Sequence, residues 1–325
     1  QSTLFRKHSG FTLVEIMVGL AIGMLATLVI LQVISMFEAQ KRVTTGSADA
    51  QTNGSVALYQ IVRELNLAGY PLMPVDNSPL ECTTVTFGST GITSITPISI
   101  TNGTSDTLTI RYGNSAMGGI PMTITGMGAP TANDATVNNN LGCETGDIAL
   151  VLNSATCALT RITDVSPAST VPATITLSET TNAIAGGSLA CVGVWNEIDF
   201  SVNNGNLERE GTPIVAGIVN IQAQYGVSTA TDSNQVSQWV EPDTVNLTDI
   251  SQRNRIKAVR IAVVARNDKM EANNVTTALS AWTGSASSPA PAIDLSADAD
   301  WQRYRYRVFE TIVPLRNVIW SRDTL

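Results

Sequence analysis

Residues 10–37 read GFTLVEIMVGLAIGMLATLVILQVISMF, and this stretch decides the fold. No charged residue interrupts the 22 positions from Ile16 to Phe37. A helix of about 20 apolar residues is long enough to cross the hydrocarbon core of a membrane. Because Arg6 and Lys7 precede this run, the charge distribution predicts a cytoplasmic N-terminus, with the bulk of the chain on the other side of the membrane.

Three simpler explanations of this stretch are open. A cleaved secretory signal has an apolar core of about 7–15 residues that ends near a small-residue site. Here the run is longer, and the nearest such site, at residues 48–50, lies well beyond it. A plain membrane anchor accounts for the apolar run but not for residues 10–15, which precede it. Thr12 and Glu15 have the spacing of a capping box, so helix capping alone could account for Glu15.

A short basic leader that ends in Gly10, followed by Phe-Thr-Leu-x-Glu and an apolar helix, resembles the type IV prepilin signal. The resemblance implies that a cytoplasm-facing prepilin peptidase cuts the chain between Gly10 and Phe11. It further implies that the new N-terminus, the amine of Phe11, is methylated.

Glu15 has a physical role in this interpretation. An ionised carboxylate on an apolar helix costs on the order of a few kcal/mol and needs a partner. Cleavage creates a positively charged amine on Phe11, which Glu15 of a neighbouring parallel helix can meet. Because such a pair offsets the desolvation cost and fixes the axial register, we predict that Glu15 is a subunit-assembly residue.

The spacing of apolar residues predicts one helix from about Thr12 to Ala68, loosened near residues 44–46 and ended by Gly69 and Pro71. The predicted organisation is a leader at 1–10, a long helix at 11–69 and a β-rich domain at 70–325. Within the helix, residues 11–37 form the part inside a membrane or fibre core. The fold class is α+β and pilin-like, with the helix packed on an antiparallel sheet.

Beyond Pro71, alternating apolar residues separated by turn residues predict strands. An Asn-Asn-Gly turn at 203–205 predicts a β-hairpin, because Asn-Gly supplies the positive φ that tight hairpins require. Residues 113–142 and 267–300 are predicted to be long loops. The predicted strands lie at 107–112, 147–152, 174–177, 197–202, 214–225, 256–265 and 303–312.

The composition argues against most enzyme classes. His8 is the only histidine, so neither a His general base nor a His metal site can form beyond the leader. Because of the net charge of −8, the molecule as a whole does not attract nucleic acid. We therefore do not expect a nucleic-acid partner. The sequence predicts no enzymatic activity, no cofactor and no metal site.

The four cysteines, Cys82, Cys143, Cys157 and Cys191, lie far apart and form no C-x-x-C pair. Their even number and wide spacing favour disulfides formed in an oxidising compartment. Three pairings are open. We predict that Cys143 pairs with Cys157 across a short loop, which leaves Cys82 to pair with Cys191.

Two charged clusters near the end of the chain are predicted to be solvated surface. Asp294, Asp298 and Asp300 could offer oxygen ligands to calcium, but their spacing is not that of an EF-hand. The three arginines within 303–307 alternate with tyrosines, which places the two residue types on opposite faces of a strand. The tyrosines therefore cannot join the arginines in gripping single-stranded DNA.

A series of downstream segments, in this order along the chain, resembles the PilW family of minor pilins, which are related to the J-type minor pseudopilins of type II secretion. Each segment is weak by itself, and the region 83–190 contributes none. The segments are Arg63-Glu64-Leu65-Asn66-Leu67-Ala68-Gly69-Tyr70, Asn206-Leu207-Glu208-Arg209, Ile218–Gly226, Val259-Arg260-Ile261 with Arg266, Tyr306-Arg307-Val308-Phe309 and Leu315-Arg316-Asn317.

The resemblance implies a minor pilin that initiates and supports type IV pilus assembly by polymerising through its helix. The implied partners are PilV-, PilX- and FimU-like minor pilins, the major pilin, the prepilin peptidase and a PilY1-like tip adhesin. The implied location is the inner membrane, crossed once with the bulk in the periplasm, and then the pilus fibre on the cell surface. Two alternatives stay open: a minor pseudopilin of type II secretion, and a tip-located adhesion or DNA-binding module.

Overall fold

The computed structural model describes residues 10–72, 82, 84–127, 133–153, 156–167, 170–179 and 185–319. The chain divides into two compact units, Gln1–Asp49 and Ala50–Leu325. The first unit contains the beginning of the long helix, and the second contains the rest of that helix and all the strands.

Helix α1 spans Leu13–Leu65 and is 53 residues long. It continues through residues 44–46, where the sequence predicts loosening, and the Thr44 hydroxyl donates to the Gln40 carbonyl at 3.0 Å within the helix. Turns follow from residue 66 to residue 71. Gly69 has a φ of +78°, the left-handed conformation expected of a glycine that ends a helix.

Sixteen strands and two short helices follow within the described residues. The helices are α2 (Ile250–Arg253) and α3 (Arg316–Ile319). The strands are β1 (Thr84–Thr86), β2 (Ile98–Thr101), β3 (Thr107–Tyr112), β4 (Pro121–Met127), β5 (Asp134–Val137), β6 (Ile148–Asn153), β7 (Thr156–Val165), β8 (Ala173–Leu177), β9 (Ser188–Gly193), β10 (Asn196–Asn203), β11 (Asn206–Arg209), β12 (Thr212–Ala216), β13 (Ile218–Val227), β14 (Gln238–Val240), β15 (Ile256–Arg266) and β16 (Tyr306–Pro314).

Six of these strands close into an antiparallel barrel. The order β7-β6-β9-β4-β5-β8 returns to its start because β8 also pairs with β7, and β1 adds to β7 in parallel. Apolar residues fill the inside of the barrel, among them Met122, Ile124, Val151 and Ile175. Closure leaves these strands without the unpaired edges of an open sheet.

The barrel is inserted between two neighbouring strands of another sheet. That sheet has the order β12-β11-β10-β3-β2, and Ile110 of β3 lies opposite Ile198 of β10. A third sheet has the order β14-β13-β15-β16. The residues of α1 that follow Asp49 bury Ala57, Ile61 and Leu65 in one apolar core with side chains of both sheets. The structure therefore confirms the α+β class, in which a long helix precedes antiparallel sheets.

Most predicted strands are present. The structure confirms the strands predicted at 107–112, 147–152, 174–177, 197–202 and 256–265 to within a residue or two. Asn204 and Gly205 both have positive φ, 49° and 72°, so the predicted hairpin turn is also confirmed. Residues 267–300 form a loop whose only pairing is an isolated bridge between Ser285 and Ser288, as expected.

Three predictions of local structure are wrong. The single strand predicted at 214–225 is interrupted at Gly217, whose φ of +76° turns the chain from β12 in one sheet to β13 in another. The loop predicted at 113–142 contains β4 and β5. Their alternation is short, with Met122 and Ile124 buried in β4 and Ala135 and Val137 buried in β5, which is a weak signal in the sequence. The last strand begins at Tyr306 and not at Arg303, since Trp301–Arg303 forms a 3-10 turn.

Candidate assembly site

The first turn of α1 contains the capping box that the sequence predicts. The Glu15 amide donates to the Thr12 hydroxyl at 3.3 Å, and the Thr12 amide donates to the Glu15 carboxylate at 3.5 Å. Local capping therefore does use Glu15. Both Glu15 and Phe11 are nevertheless exposed, and a carboxylate has about four lone-pair sites, so Glu15 keeps acceptor capacity for a second partner.

The apolar run forms an uncovered surface within the first unit. Every large apolar side chain from Leu13 to Phe37 is exposed, from 45% for Val33 to 75% for Leu13. By length and composition the helix can cross a membrane, with a mean hydropathy of 2.4 over its most apolar 18-residue stretch. Continuous apolar surface of this extent marks a region that contacts lipid or other proteins.

Within the second unit, the C-terminal end of α1 is fixed by a buried acid. Glu64 is 3% exposed and accepts hydrogen bonds from the Tyr112 hydroxyl at 2.6 Å and the Arg63 guanidinium at 2.9 Å. The Arg209 guanidinium lies 3.6 Å from the same carboxylate. Burial alone would raise the pKa of Glu64, but the hydrogen bonds from Tyr112 and Arg63 and the charge of Arg209 together lower it below its usual range.

Tyr112 is the partner of Glu64 that sequence reasoning missed. Burial and the hydrogen bond to the Glu64 carboxylate raise the pKa of Tyr112 to about 12, so the phenol remains a proton donor at neutral pH. Tyr112 ends β3, which the sequence predicts, but no sequence pattern indicates that this strand meets the end of the helix.

Segments that resemble the PilW family only weakly by sequence meet in space at this helix end. Glu64 belongs to the first segment and Arg209 to the hairpin segment. Asn317, from the last segment, donates its side-chain amide to the carbonyls of Asn66 and Ala68, both at 3.2 Å. Both carbonyls lie in the turns that follow α1, so Asn317 ties α3 to these turns.

The long loop at 267–300 is held against the third sheet by Arg260. Its guanidinium lies between the rings of Trp239 and Trp282, 5.1 and 4.2 Å from their centroids. It also donates to the side chain of Gln224 at 2.8 Å and to the Pro289 carbonyl at 3.1 Å. Burial lowers the pKa of Arg260 to about 10, which still leaves it charged at neutral pH.

The two charged clusters at the end of the chain form ion pairs, partly with one another. Asp298 pairs with Arg266 at 2.7 Å, and Asp300 pairs with Arg303 at 3.1 Å. Arg305 pairs with Glu271 at 2.8 Å. Arg305 is exposed, as predicted, whereas Arg303 lies in the 3-10 turn and not on the strand. Among the residues that the structure describes, no cluster of three or more acidic, Cys or His side chains could hold a metal ion.

All four cysteines form disulfides, but the predicted pairing is wrong. Cys82 bonds to Cys157, and Cys143 bonds to Cys191. Cys157 lies opposite Leu152 near the β6–β7 turn, whereas Cys143 precedes the far end of β6. The strand from Ile148, which begins β6, to Leu152 rises by about 13 Å, which is beyond the reach of a disulfide. The Cys143–Cys191 bond lies in the barrel core, and the Cys82–Cys157 bond lies in the core shared with α1.

Two family models match the chain. The model described as Type IV Pilus-assembly protein W matches residues 176–317, from β8 to α3. The model described as Prokaryotic N-terminal methylation motif matches residues 5–31, which contain Gly10, Phe11 and Glu15. No curated protein and no solved structure matches the chain.

The methylation-motif match covers much of the exposed apolar run, and the other match covers Arg209 and Asn317, which contact the C-terminal end of α1. The methylation motif and the apolar helix fit a membrane-anchored pilin. The matched family is one of pilus-assembly components and not a class of enzymes. Together, the two matches support a type IV pilus minor pilin of the PilW family.

Proposed function

We propose that this minor pilin is cut between Gly10 and Phe11, methylated on the Phe11 amine, and polymerised with other minor pilins to initiate the pilus. Before assembly it crosses the inner membrane once, with residues from about 38 onward in the periplasm. It then moves into the fibre, where PilV-, PilX- and FimU-like pilins, the major pilin and a PilY1-like tip adhesin are its neighbours.

The uncovered apolar surface of residues 13–37 is the observation that supports this proposal most. Removing one large apolar side chain from water stabilises a complex by about 1.5–3 kcal/mol. The 17 large apolar side chains in this range all lie exposed in the isolated chain. A bilayer covers such a surface first, and a bundle of similar helices covers it next, so the same residues serve both stages.

Glu15 gives this assembly its register. The capping box leaves Glu15 exposed at the start of an apolar surface, so a fibre would place its charge among apolar neighbours. An uncompensated charge there is costly, and the amine of Phe11 on an adjacent subunit is the matching cation. That amine exists only after cleavage at Gly10, which couples assembly to processing.

The proposal is tested by replacing Glu15 with Ala and measuring how much of the chain reaches sheared pili relative to the membrane fraction. We expect the membrane fraction to be unchanged and the amount in pili to fall at least about tenfold, because a pair worth about 1.4 kcal/mol changes an equilibrium tenfold. Glu38→Ala is the matched control, since Glu38 is exposed on the same helix beyond the apolar run.

Wild-type amounts of the Glu15→Ala chain in pili would contradict the role of Glu15. Deleting the whole chain tests the function more broadly, and we expect few or no pili. Normal pilus numbers together with lost protein secretion would instead assign the chain to a type II secretion system.

A further inference from the structure

A cleft of about 360 Å³ lies where the inserted barrel meets the second sheet. Barrel strands β6 and β7 form one wall, and the start of β10 forms another. The loop after β1 forms the third, and its Ser89 amide donates to the Glu179 carboxylate at 2.7 Å. Both the size and the mixed polar and apolar lining are typical of a small-molecule site.

Apolar and aromatic side chains form part of the lining. Ile92 and Ile148 are buried, and Trp195 is half-buried beside them. The Trp195 indole N–H donates to the Glu197 carboxylate at 3.4 Å. Trp195 therefore offers an apolar ring surface whose polar edge already has an acceptor, as expected of tryptophan at a binding surface.

The two charged residues of the cleft differ in their partners. Glu197 pairs with Arg111 at 3.3 Å, which compensates its charge. Arg161 is exposed and donates to the Gly146 carbonyl at 3.0 Å. Within the described part of the chain, no carboxylate lies within 4.0 Å of the Arg161 guanidinium. The cleft thus carries one uncompensated positive charge with donors left to use.

We propose that this cleft binds a sugar ring that carries a carboxylate, such as a uronic acid. The apolar C–H face of the sugar packs on Trp195, its carboxylate pairs with Arg161, and a hydroxyl donates to Glu197. Arginine and carboxylate match in shape as well as in charge, which favours this ligand over a neutral sugar. A long polyanion is disfavoured by the net charge of −8 on the whole chain. The site is independent of the assembly surface on α1.

The test uses the full chain in detergent with galacturonic acid, trigalacturonic acid and galactose as probes, each titrated by saturation-transfer NMR. We expect saturable binding of both acids, and binding of galactose at least about tenfold weaker, because a charge-assisted bond is lost. Arg161→Gln should weaken binding of the two acids at least about tenfold and leave binding of galactose unchanged. Arg316→Gln, another exposed arginine, is the matched control and should change neither.

Trp195→Leu should weaken all three sugars, and near-ultraviolet circular dichroism establishes whether this variant is folded. Arg161 is exposed, so its variant tests the proposal even if the tryptophan variant unfolds. The proposal is overturned if neither acid binds saturably to the wild-type chain, or if Arg161→Gln binds both acids as tightly as the wild type.

Discussion

Helix α1 contains two stretches whose apolar residues lie in opposite environments. From Leu13 to Phe37, no large apolar side chain is less than 45% exposed. Between Ala50 and Leu65, by contrast, Ala57, Ile61 and Leu65 are completely buried. The first stretch is apolar around its whole circumference, and the second is apolar on one face only. An all-round apolar helix that the chain does not cover requires lipid or other subunits, whereas a one-sided helix is completed by its own domain.

Two acidic residues near opposite ends of the helix, Glu15 and Glu64, differ in the same way. Glu64 is buried and has three partners from its own domain: Arg63, Tyr112 and Arg209. Glu15 is exposed, and among the described residues the partner of its carboxylate is the Thr12 amide in its own turn. The buried acid therefore stabilises the fold, and the exposed acid is available for assembly.

The largest expected contrast is in core truncation. Ile61→Ala or Leu65→Ala should lower the free energy of unfolding by about 2–5 kcal/mol, because each leaves a cavity in the core shared with the sheets. Leu20→Ala and Leu28→Ala are the matched controls and should change it by less than about 0.5 kcal/mol, since both side chains are exposed. Denaturant unfolding in detergent, followed by near-ultraviolet circular dichroism, measures both. Equal changes in the free energy of unfolding for substitutions in the two stretches would contradict this contrast.

A smaller contrast is expected between the two acids. Glu64→Gln should destabilise the domain by about 1–3 kcal/mol, since a carboxylate that accepts hydrogen bonds from buried donors is lost. Glu15→Gln should leave unfolding unchanged. Measuring the unfolding free energy of both variants at pH 7 tests this contrast, and an equally destabilised Glu15→Gln would contradict it.

The pH dependence of unfolding tests whether the ionised Glu64 carboxylate stabilises the domain. Because the pKa of Glu64 in the folded chain is lowered below 4.5, its contribution is complete above that pH and disappears as the pH falls through the lowered value. The wild type should therefore lose stability on acidification over a range in which Glu64→Gln loses less. Parallel pH profiles for the two proteins would show that Glu64 is not the titrating group.

The smallest contrast uses two helical glycines. A Cβ added at Gly54 would lie 2.1 Å from the Phe309 ring, so Gly54→Ala should cost about 1–2 kcal/mol even after its gain in helix propensity. Nothing lies within 4 Å of a Cβ added at Gly23, so Gly23→Ala should not destabilise the helix. Thermal unfolding of the two variants provides the comparison. A stabilised Gly54→Ala would mean that Phe309 moves aside at little cost.

Local signals in the sequence predict the elements whose causes are local. The apolar run, the Thr12–Glu15 capping box and the hairpin turn at Asn204-Gly205 each depend on neighbours within a few residues, and each is present. Gly69, which is predicted to end the helix from its local sequence, likewise has the expected positive φ.

The rest depends on pairings between residues distant in sequence. The barrel is missed because its closure depends on β7 pairing with β8, which no local sequence pattern indicates. The disulfide pairing fails for the same reason: Cys191 lies opposite Ala149 in the β6–β9 pair, which cannot be inferred from spacing. Tyr112 becomes a partner of Glu64 only when β3 reaches the helix end, and Arg161 and Trp195 share a cleft only across the barrel junction.

The most direct test of the assembly surface is mass spectrometry of this chain recovered from sheared native pili. We expect an N-terminal peptide that begins with methylated Phe11 and continues through Glu15 and the intact apolar run. Recovery of chains that retain residues 1–10, or of chains that begin after Phe37, would contradict this expectation.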